Sequence, residues 1–189
     1  MYGEQRIIKS GAVDAEMILG SKYYEPRLRG IKPPGDIRVH VSGIDMIRDP
    51  DGVFRVLEDN LRCPSGVSYV LENRIITKRV VPEMFRRVRV APVEAYPAQL
   101  ASALRACAPA GSDEPTCVVL TPGAYNSAYF EHSFLARTMG VELVEPLDLY
   151  VDDDMVFART IDGPMRVHVI YRRIDEAYLD PEMFRPDSM

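Results

Sequence analysis

Three oxygen-bearing side chains, Asp45, Glu58 and Asn60, occupy two neighbouring segments whose composition is typical of β-strands. Two carboxylates and an amide oxygen are ligands that suit Mg²⁺, which binds oxygen and usually keeps water or phosphate in its remaining positions. Like charges that face each other across a strand pair repel, and a cation between them removes that repulsion. The residues therefore indicate a divalent-cation site. The alternative is that both carboxylates lie on the solvated face of an ordinary hairpin, where most strand carboxylates are found.

A β-hairpin must bring these side chains together. Residues 37–48 alternate in polarity and are rich in β-branched residues, and the Asp-Pro-Asp-Gly sequence at 49–52 has turn chemistry. Residues 53–58 alternate again. The pattern predicts a metal-site hairpin over residues 37–60.

The register of the predicted hairpin decides which side chains meet. A turn of about four residues pairs position 48 with position 55 and sets Asp45 opposite Glu58, because paired positions in an antiparallel ladder have a constant sum. Side chains two apart on a strand point to the same side, so Asn60 joins Glu58 if the strand continues that far. All three oxygen donors are then expected on one face.

The residues that follow the hairpin have the chemistry of an anion site. Arg62 carries a guanidinium, which binds carboxylate and phosphate in a bidentate manner, and Ser65 and Gly66 belong to a turn that opens a predicted helix over 65–79. The N-terminal amides of a helix can receive an anion. The alternatives are a surface ion pair of Arg62 with Glu58 or Asp59, a simple helix cap for Ser65 and a purely conformational role for Gly66.

Composition excludes several classes of function. The chain has 189 residues, 47% of them hydrophobic, and a formal net charge of −5 with both signs mixed along its length. No basic footprint for a nucleic acid is present, so no nucleic-acid partner is expected. The three cysteines form no disulfide or zinc pattern, and no long apolar segment predicts a signal peptide or a membrane span. We therefore expect a cytoplasmic protein without a membrane partner.

The second half of the chain predicts an open α/β sheet. A connector rich in Pro, Gly, Ser and Asp at 109–115 is the predicted domain boundary. An apolar strand, a helix that stops at Gly140 and a returning strand follow, which together make a βαβ unit. A strand hairpin and one more strand complete the pattern. These predicted elements cover residues 116–123, 127–140, 141–146, 147–161 and 166–175.

Ligands of open α/β sheets usually bind at the carboxyl ends of the strands. Tyr125, Asn126 and Ser127 stand in the turn after the first predicted strand, and Arg172 and Arg173 end the last one. The former are candidate substrate-binding residues, although turn and capping chemistry explains them equally well. The two arginines could present cations to an acidic substrate. The alternative for Arg173 is an ion pair with Asp175 of little energetic value.

The sequence resembles the ATP-grasp superfamily of ATP-dependent carboxylate–amine ligases. Members of that superfamily end their ATP-binding fold with a hairpin that carries an Asp, an Asp-Gly turn and a Glu-x-Asn pair, which appear here as Asp45, 51–52, and Glu58 with Asn60. Longer stretches look like the circularly permuted ATP-grasp proteins, in which a pre-ATP-grasp α/β domain follows the metal hairpin. Those stretches are residues 43–74, 120–151 and 169–188.

This resemblance implies the reaction, the cofactors and the domain roles. ATP phosphorylates a carboxylate, and an amine then displaces phosphate from the acyl phosphate. The resemblance assigns Mg²⁺ binding to Asp45, Glu58 and Asn60, and positioning of the acceptor to Arg62. Residues 1–108 correspond to the C-terminal part of the ATP-grasp lobe, and 116–189 to the α/β domain. ATP and Mg²⁺ are the implied cofactors, and small carboxylate and amine substrates the implied partners.

One departure from the family pattern is the absence of a recognisable lysine-bearing, glycine-rich strand and loop that would cover ATP. We therefore expect the chain to be a fragment that is inactive alone, with the missing ATP-lobe segments of the parent protein as a partner. Two other hypotheses remain. The first is a non-catalytic α/β ligand-binding or scaffold module, and the second is a metal-dependent phosphohydrolase, for which the His and Asp spacing of a two-metal site is lacking.

Overall fold

The computed structural model describes residues 1–188, and the chain divides into two compact units, Met1–His40 and Val41–Met189. The first unit contains two short helices, α1 (Arg6–Lys9) and α2 (Ala15–Leu19), joined by turns. The rings of Tyr2 and Tyr24 stack with centroids 5.3 Å apart, and the Tyr2 carbonyl accepts a hydrogen bond from the amide of Gly30. Local stacking and turns therefore organise a segment in which no residue is buried among the described residues 1–40.

The second unit contains four helices and eight strands among its described residues. The helices are α3 (Val67–Val80), α4 (Pro82–Arg87), α5 (Tyr96–Arg105) and α6 (Tyr129–Met139). The strands are β1 (Gly43–Arg48), β2 (Phe54–Asn60), β3 (Cys117–Leu120), β4 (Glu142–Val144), β5 (Leu149–Asp152), β6 (Met155–Thr160), β7 (Gly163–Val167) and β8 (Val169–Arg172). The predicted helix after the hairpin, the predicted βαβ unit and the predicted hairpin at 147–161 are all present, and the second strand of that hairpin ends at Thr160.

A parallel three-stranded sheet in the order β4–β3–β8 forms the centre of the unit. Each residue of β3 is buried, as expected for a continuous apolar strand covered on both faces. The α6 helix connects β3 to β4 and ends at Gly140, whose φ of 70° is the left-handed conformation that glycine adopts readily. The α/β fold class predicted from the sequence is confirmed.

The side chains of β3 alternate between two hydrophobic clusters. Cys117 and Val119 pack with residues from α3, α5 and α6, while Val118 and Leu120 pack with the second sheet. This second sheet is antiparallel in the order β5–β6–β7. Helices therefore cover one face of the parallel sheet, and three strands cover the other. Burying one such aliphatic side chain contributes about 1.5–3 kcal/mol. Packing on both faces therefore holds the parallel strands, and the edge where they end, in place.

Two sequence predictions need correction. Residues 166–175 do not form one strand, because the chain changes sheet at His168, whose Nδ1 accepts a hydrogen bond from the amide of Thr116. The first hairpin strand begins at Gly43 and not at residue 37, since residues 37–42 make no ladder. Alternating polarity alone therefore predicts a first hairpin strand that is too long and joins two separate strands, β7 and β8, into one.

The predicted boundary at 109–115 lies inside the second unit. Leu100 and Leu104 precede this connector, and Phe134 and Leu135 follow it, yet all four belong to one hydrophobic cluster. The division into an ATP-grasp part and an α/β domain stays a prediction. Within residues 1–188, no helix is both long enough and apolar enough to span a bilayer.

Candidate functional site

The β1–β2 hairpin sets Asp45 directly opposite Glu58. Near the turn the ladder pairs Arg48 with Phe54 and Met46 with Val56, so the predicted pairing of position 48 with 55 is wrong. A register shift lies between Asp45 and Met46, and beyond it Asp45 pairs with Glu58 as predicted. Without this β-bulge the ladder would place residue 57 opposite Asp45. The bulge thus aligns the two carboxylates, consistent with the tendency of bulges to re-aim side chains near functional sites.

Asn60 completes the predicted ligand set from the end of β2. Its Nδ2 donates a hydrogen bond to Glu58 Oε1 at 3.3 Å, which places the amide and the carboxylate on the same side of the strand. The amide oxygen is then left as an acceptor for another group. Asp45, Glu58 and Asn60 are all exposed. The structure therefore brings the three oxygen-bearing side chains together at the open end of the hairpin.

The charges of Asp45 and Glu58 are not neutralised by lysine or arginine within residues 1–188. Carboxylates that face each other across a ladder repel, so this arrangement costs stability unless a cation binds. No group of three or more His, Cys, Asp or Glu side chains in the described chain is placed to hold a metal. The predicted set has two acids and one amide, whose donor chemistry fits Mg²⁺.

The turn of the hairpin is built around Asp49. Its Oδ1 accepts hydrogen bonds from the amides of Asp51 and Val53 at 3.1 and 2.9 Å, and Arg55 donates to Oδ2 at 2.6 Å. The hydrogen bond from Arg55 lowers the pKa of Asp49, with help from the Val53 amide. Gly52 has a φ of 81°, which favours glycine. The predicted turn chemistry therefore rigidifies the hairpin tip, away from the carboxylate pair.

Gly43 sets the opposite end of the hairpin. It pairs with Asn60, and a Cβ atom at Gly43 would lie 2.8 Å from the Cβ of Pro64. Only glycine lets the chain after Asn60 turn this closely back over β1. The segment that carries Arg62 is held beside the carboxylate pair as a result.

Arg62 forms a bidentate ion pair with a segment at the end of the α/β unit. Its Nε donates to Glu176 Oε2 at 3.0 Å, and its Nη2 lies 2.5 Å from Glu176 Oε1 and 2.7 Å from Asp175 Oδ1. Arg62 thus pairs with distant acids and not with the neighbouring carboxylates Glu58 or Asp59 that the alternative interpretation named. Burial raises the pKa of Glu176, but hydrogen bonds from Arg62 and Arg172 outweigh it and lower that pKa to about 2.

The start of α3 is capped by a carboxylate from another helix. Glu131 of α6 accepts hydrogen bonds at Oε2 from the Gly66 amide at 2.6 Å, the Ser68 amide at 3.1 Å and the Ser68 hydroxyl at 2.9 Å. The N-cap residue is Gly66, with a φ of 110°, so the prediction of Ser65 as the cap is wrong. Helix N-termini favour anions. Here the protein itself supplies the anion.

Arg173 neutralises the same carboxylate from its other side. Its Nη2 donates to Glu131 Oε1 at 3.2 Å, and the two side chains are 2% and 1% exposed. Arg173 therefore faces the interior of the protein. Arg172 points elsewhere, and its Nη1 donates to Glu176 Oε2 at 2.9 Å and to the carbonyl of Ile174. Of the two arginines, only Arg172 is brought towards Arg62.

The loop after β3 lies at the carboxyl edge of the parallel sheet, as predicted. Tyr125 and Ser127 are exposed, and Asn126 accepts a hydrogen bond at Oδ1 from the amide of Ala128. At the buried base of the loop, the Thr121 hydroxyl hydrogen-bonds His132 Nδ1 at 2.8 Å. Burial, with the positive charge of Arg173, lowers the pKa of His132 to about 4. The base of the loop is therefore held by a buried hydrogen bond, while Tyr125 and Ser127 remain exposed.

Sequence patterns gave no prediction for Glu131 or Glu176. They paired Asp175 with Arg173, whereas the structure pairs Asp175 with Arg62. Glu131 occurs three and four residues before Phe134 and Leu135, which places a charged residue in the buried stripe of α6. That position was the available signal, because a carboxylate in such a stripe needs a partner. Glu176 gave no comparable signal, since charged residues after a strand are common.

The arrangement as a whole can bind a cation and an anion side by side. The Asp45–Glu58 pair with Asn60 offers oxygen ligands, and Arg62 and Arg172 share the Glu176 carboxylate close to the end of the hairpin segment. Oxygen donors of this kind, together with oriented guanidinium groups, have the chemistry for a reaction in which phosphate and carboxylate charges must be neutralised and aligned.

Comparison with known proteins gives a family and several relatives. The model of the family described as circularly permuted ATP-grasp type 2 matches residues 1–189. Uncharacterized protein Rv2411c of Mycobacterium tuberculosis is 53% identical over 189 residues, which are 100% of this chain and 34% of that protein. An uncharacterized protein of Synechocystis sp. is 50% identical over 189 residues, which are 100% of this chain and 39% of its own length.

A further relative has an enzyme name. A protein of Frankia casuarinae, provisionally named glutamate–cysteine ligase 2-2, is 45% identical over 179 residues, which are 93% of this chain and 21% of that protein. The chain therefore spans between about a fifth and two fifths of the lengths of these relatives.

Proposed function

Because the chain belongs to the circularly permuted ATP-grasp type 2 family, we propose that it is part of an ATP-dependent ligase that joins a carboxylate to an amine. The ligase name of the Frankia casuarinae relative supports this reaction class. Since the chain covers 34% of its mycobacterial relative, the proposed activity is that of a longer parent protein. In that parent, residues 1–108 are the end of the ATP-grasp lobe and 116–189 the substrate-side domain, and remaining segments complete the ATP site.

Asp45, Glu58 and Asn60 are the proposed Mg²⁺ ligands. The observation that carries this proposal is the cross-strand pairing of two un-neutralised carboxylates, with the nitrogen of Asn60 turned towards Glu58 and its oxygen left as an acceptor. When bound, Mg²⁺ supplies charge neutralisation of ATP phosphate oxygens. The hairpin holds the three ligands on one side, so the cation binds without rearrangement of the strands.

Arg62 is proposed to orient the acid substrate. A carboxylate oxygen of that substrate attacks the γ-phosphorus of ATP, ADP leaves, and the amine then displaces phosphate from the acyl phosphate. Arg62 is anchored through a bidentate pair with Glu176, so its guanidinium is already oriented before substrate binds. Such pre-orientation lowers the entropic cost of alignment.

The remaining substrate contacts are proposed on exposed groups near this centre. Arg172 shares Glu176 with Arg62, and Ser65 is exposed at the start of α3. The amide of Gly66 already donates to Glu131, so Gly66 is proposed to shape the turn around the substrate. The exposed loop of Tyr125, Asn126 and Ser127 is a further proposed contact, and buried Arg173 is proposed to act indirectly through Glu131.

Titration of the chain with Mn²⁺, followed by electron paramagnetic resonance, tests the metal site. We expect saturable binding that strengthens with ADP and is lost in Glu58→Ala. Asp59→Ala is the matched control, because Asp59 lies between Glu58 and Asn60 on the opposite face of β2. Equal binding by the wild-type chain and Glu58→Ala contradicts the metal assignment and favours the non-catalytic α/β module.

Turnover by the parent protein tests the ligase assignment. Asp45→Asn combined with Glu58→Gln should abolish ATP-dependent ligation, while Arg62→Lys should lose at least tenfold, since ammonium cannot reproduce the bidentate geometry. Undiminished turnover in the double variant counts against the proposal, whatever the chain does alone.

A further inference from the structure

A cleft of about 740 Å³ opens at the carboxyl edge of the parallel sheet, between that sheet and β5–β6. Its walls are mainly aliphatic and include Leu120 at the end of β3, Leu149, Val156 and Ile170. Small-molecule sites typically have volumes of about 300–1,000 Å³ and combine apolar walls with a few polar groups. The size and lining of the cleft are those of a site for a small molecule.

Two arginines are the charged residues among those that line the described cleft. Arg172 uses Nη1 to donate to Glu176 and to the Ile174 carbonyl, and Arg159 uses Nη1 to donate to the carbonyls of Leu147 and Leu149. A guanidinium has five N–H donors. Each arginine is therefore held in place by one nitrogen, while its other nitrogens make no hydrogen bond within residues 1–188.

The cleft adjoins the residue to which the chemistry is assigned. Arg172 and Arg62 donate to the same oxygen, Oε2, of Glu176. A carboxylate bound at Arg172 would thus lie at the end of the cleft nearest Arg62. No acidic residue is among those that line the described cleft, whereas two oriented guanidinium groups are. Charge complementarity therefore selects an anion over a cation or a neutral ligand.

We propose that this cleft binds the acid substrate of the ligase, and that this substrate is a carboxylic acid with an apolar aliphatic or aromatic body. The inference rests on the proposed ligase function and adds the substrate class. Arg172 holds the carboxylate, with Arg159 as a second cation, and the aliphatic walls bury the body. Transfer of each CH₂ group into such walls contributes about 0.8 kcal/mol, so affinity should rise with chain length.

Methyl NMR titration of the chain with octanoate tests the proposal without ATP or metal. We expect saturable shifts at Leu120, Leu149 and Ile170, and at least tenfold weaker binding of octanamide, butyrate and glutamate. Octanamide removes the charge, butyrate removes most of the apolar body, and glutamate replaces it with polar groups. Equal affinity for octanoate and octanamide overturns the carboxylate assignment, and equal affinity for glutamate overturns the apolar class.

Variants separate this site from general apolar binding. Arg172→Gln removes the proposed cation and Ile170→Asp places a charge in the apolar wall, so each should weaken octanoate binding at least tenfold. Arg166→Gln on β7 is the matched control, since Arg166 does not line the cleft. The absence of saturable shifts overturns the proposal and makes the cleft a surface for the rest of the parent protein.

The two proposals fail separately. Octanoate binding with no effect of Glu58→Ala on Mn²⁺ leaves the cleft assignment standing and removes the metal site. Loss of Mn²⁺ binding in Glu58→Ala, with no octanoate binding, leaves the metal site standing and removes the cleft assignment.

Discussion

Replacing Glu131 by Ala should destabilise the fold far more than replacing a surface glutamate. The side chain is 1% exposed, caps α3 through the amides of Gly66 and Ser68, and pairs with Arg173, which is 2% exposed. The substitution leaves a buried guanidinium without its counter-charge, which costs about 3–5 kcal/mol in other proteins. Loss of a helix cap costs about 1 kcal/mol. We therefore expect the free energy of unfolding to fall by about 4–6 kcal/mol.

Urea unfolding followed by circular dichroism at pH 7 measures this loss. Glu83→Ala is the control, because Glu83 is 71% exposed and its pair with Arg86 lies on the surface, where such pairs contribute about 0–1 kcal/mol. A double variant, Glu131→Gln with Arg173→Met, removes both charges and should lose less than Glu131→Ala alone. A loss below about 1 kcal/mol for Glu131→Ala, or a double variant that is less stable than Glu131→Ala, would contradict the stabilising role assigned to the buried Glu131–Arg173 pair.

Three further predictions concern Gly43, Glu176 and His132. Gly43→Ala should lower the melting temperature and weaken Mn²⁺ binding, because its Cβ would lie 2.8 Å from a proline side chain, whereas Gly3→Ala has open space and should change neither. Since the folded-state pKa of Glu176 is lowered from 4.5 to about 2, its stabilisation is complete above pH 4.5 and lost as the pH falls towards 2. Urea unfolding across that range should therefore depend less on pH in Glu176→Gln. Because the pKa of His132 is lowered from 6.5 to about 4, the unfolded chain binds its proton first, and stability should fall between pH 6.5 and 4 less steeply in His132→Gln.

Local sequence patterns predicted the elements that depend on local physics. The apolar run of β3 is a buried strand, and the Asp-Pro-Asp-Gly sequence forms the hairpin turn through Asp49. The Asp45–Glu58 pairing was also predicted, but with a uniform register, whereas the structure reaches it through a bulge. The position of a bulge depends on how the strand twists and packs, which residue types at a turn do not specify.

Sequence patterns could not predict the contacts between distant segments. Arg62 and its partner Glu176 are 114 residues apart, and Gly66 and Glu131 are 65 residues apart. Residue types indicated that Arg62 would bind an acid and that the start of α3 would bind an anion, yet several acids qualified in each case. Arg172 and Arg173 are adjacent and chemically identical, and only the packing of β8 sends one to the cleft and the other to the interior.

The hydrophobic cluster that unites α5 with β3 and α6 has a consequence for the covalent chain. Because side chains on both sides of 109–115 pack together, continuity of the backbone at that connector is not what holds them in place. Two polypeptides that end and begin there, expressed in the same cell, should associate and purify as one folded particle. A connector of this kind is a point where a gene can be divided, or foreign sequence inserted, without loss of the architecture.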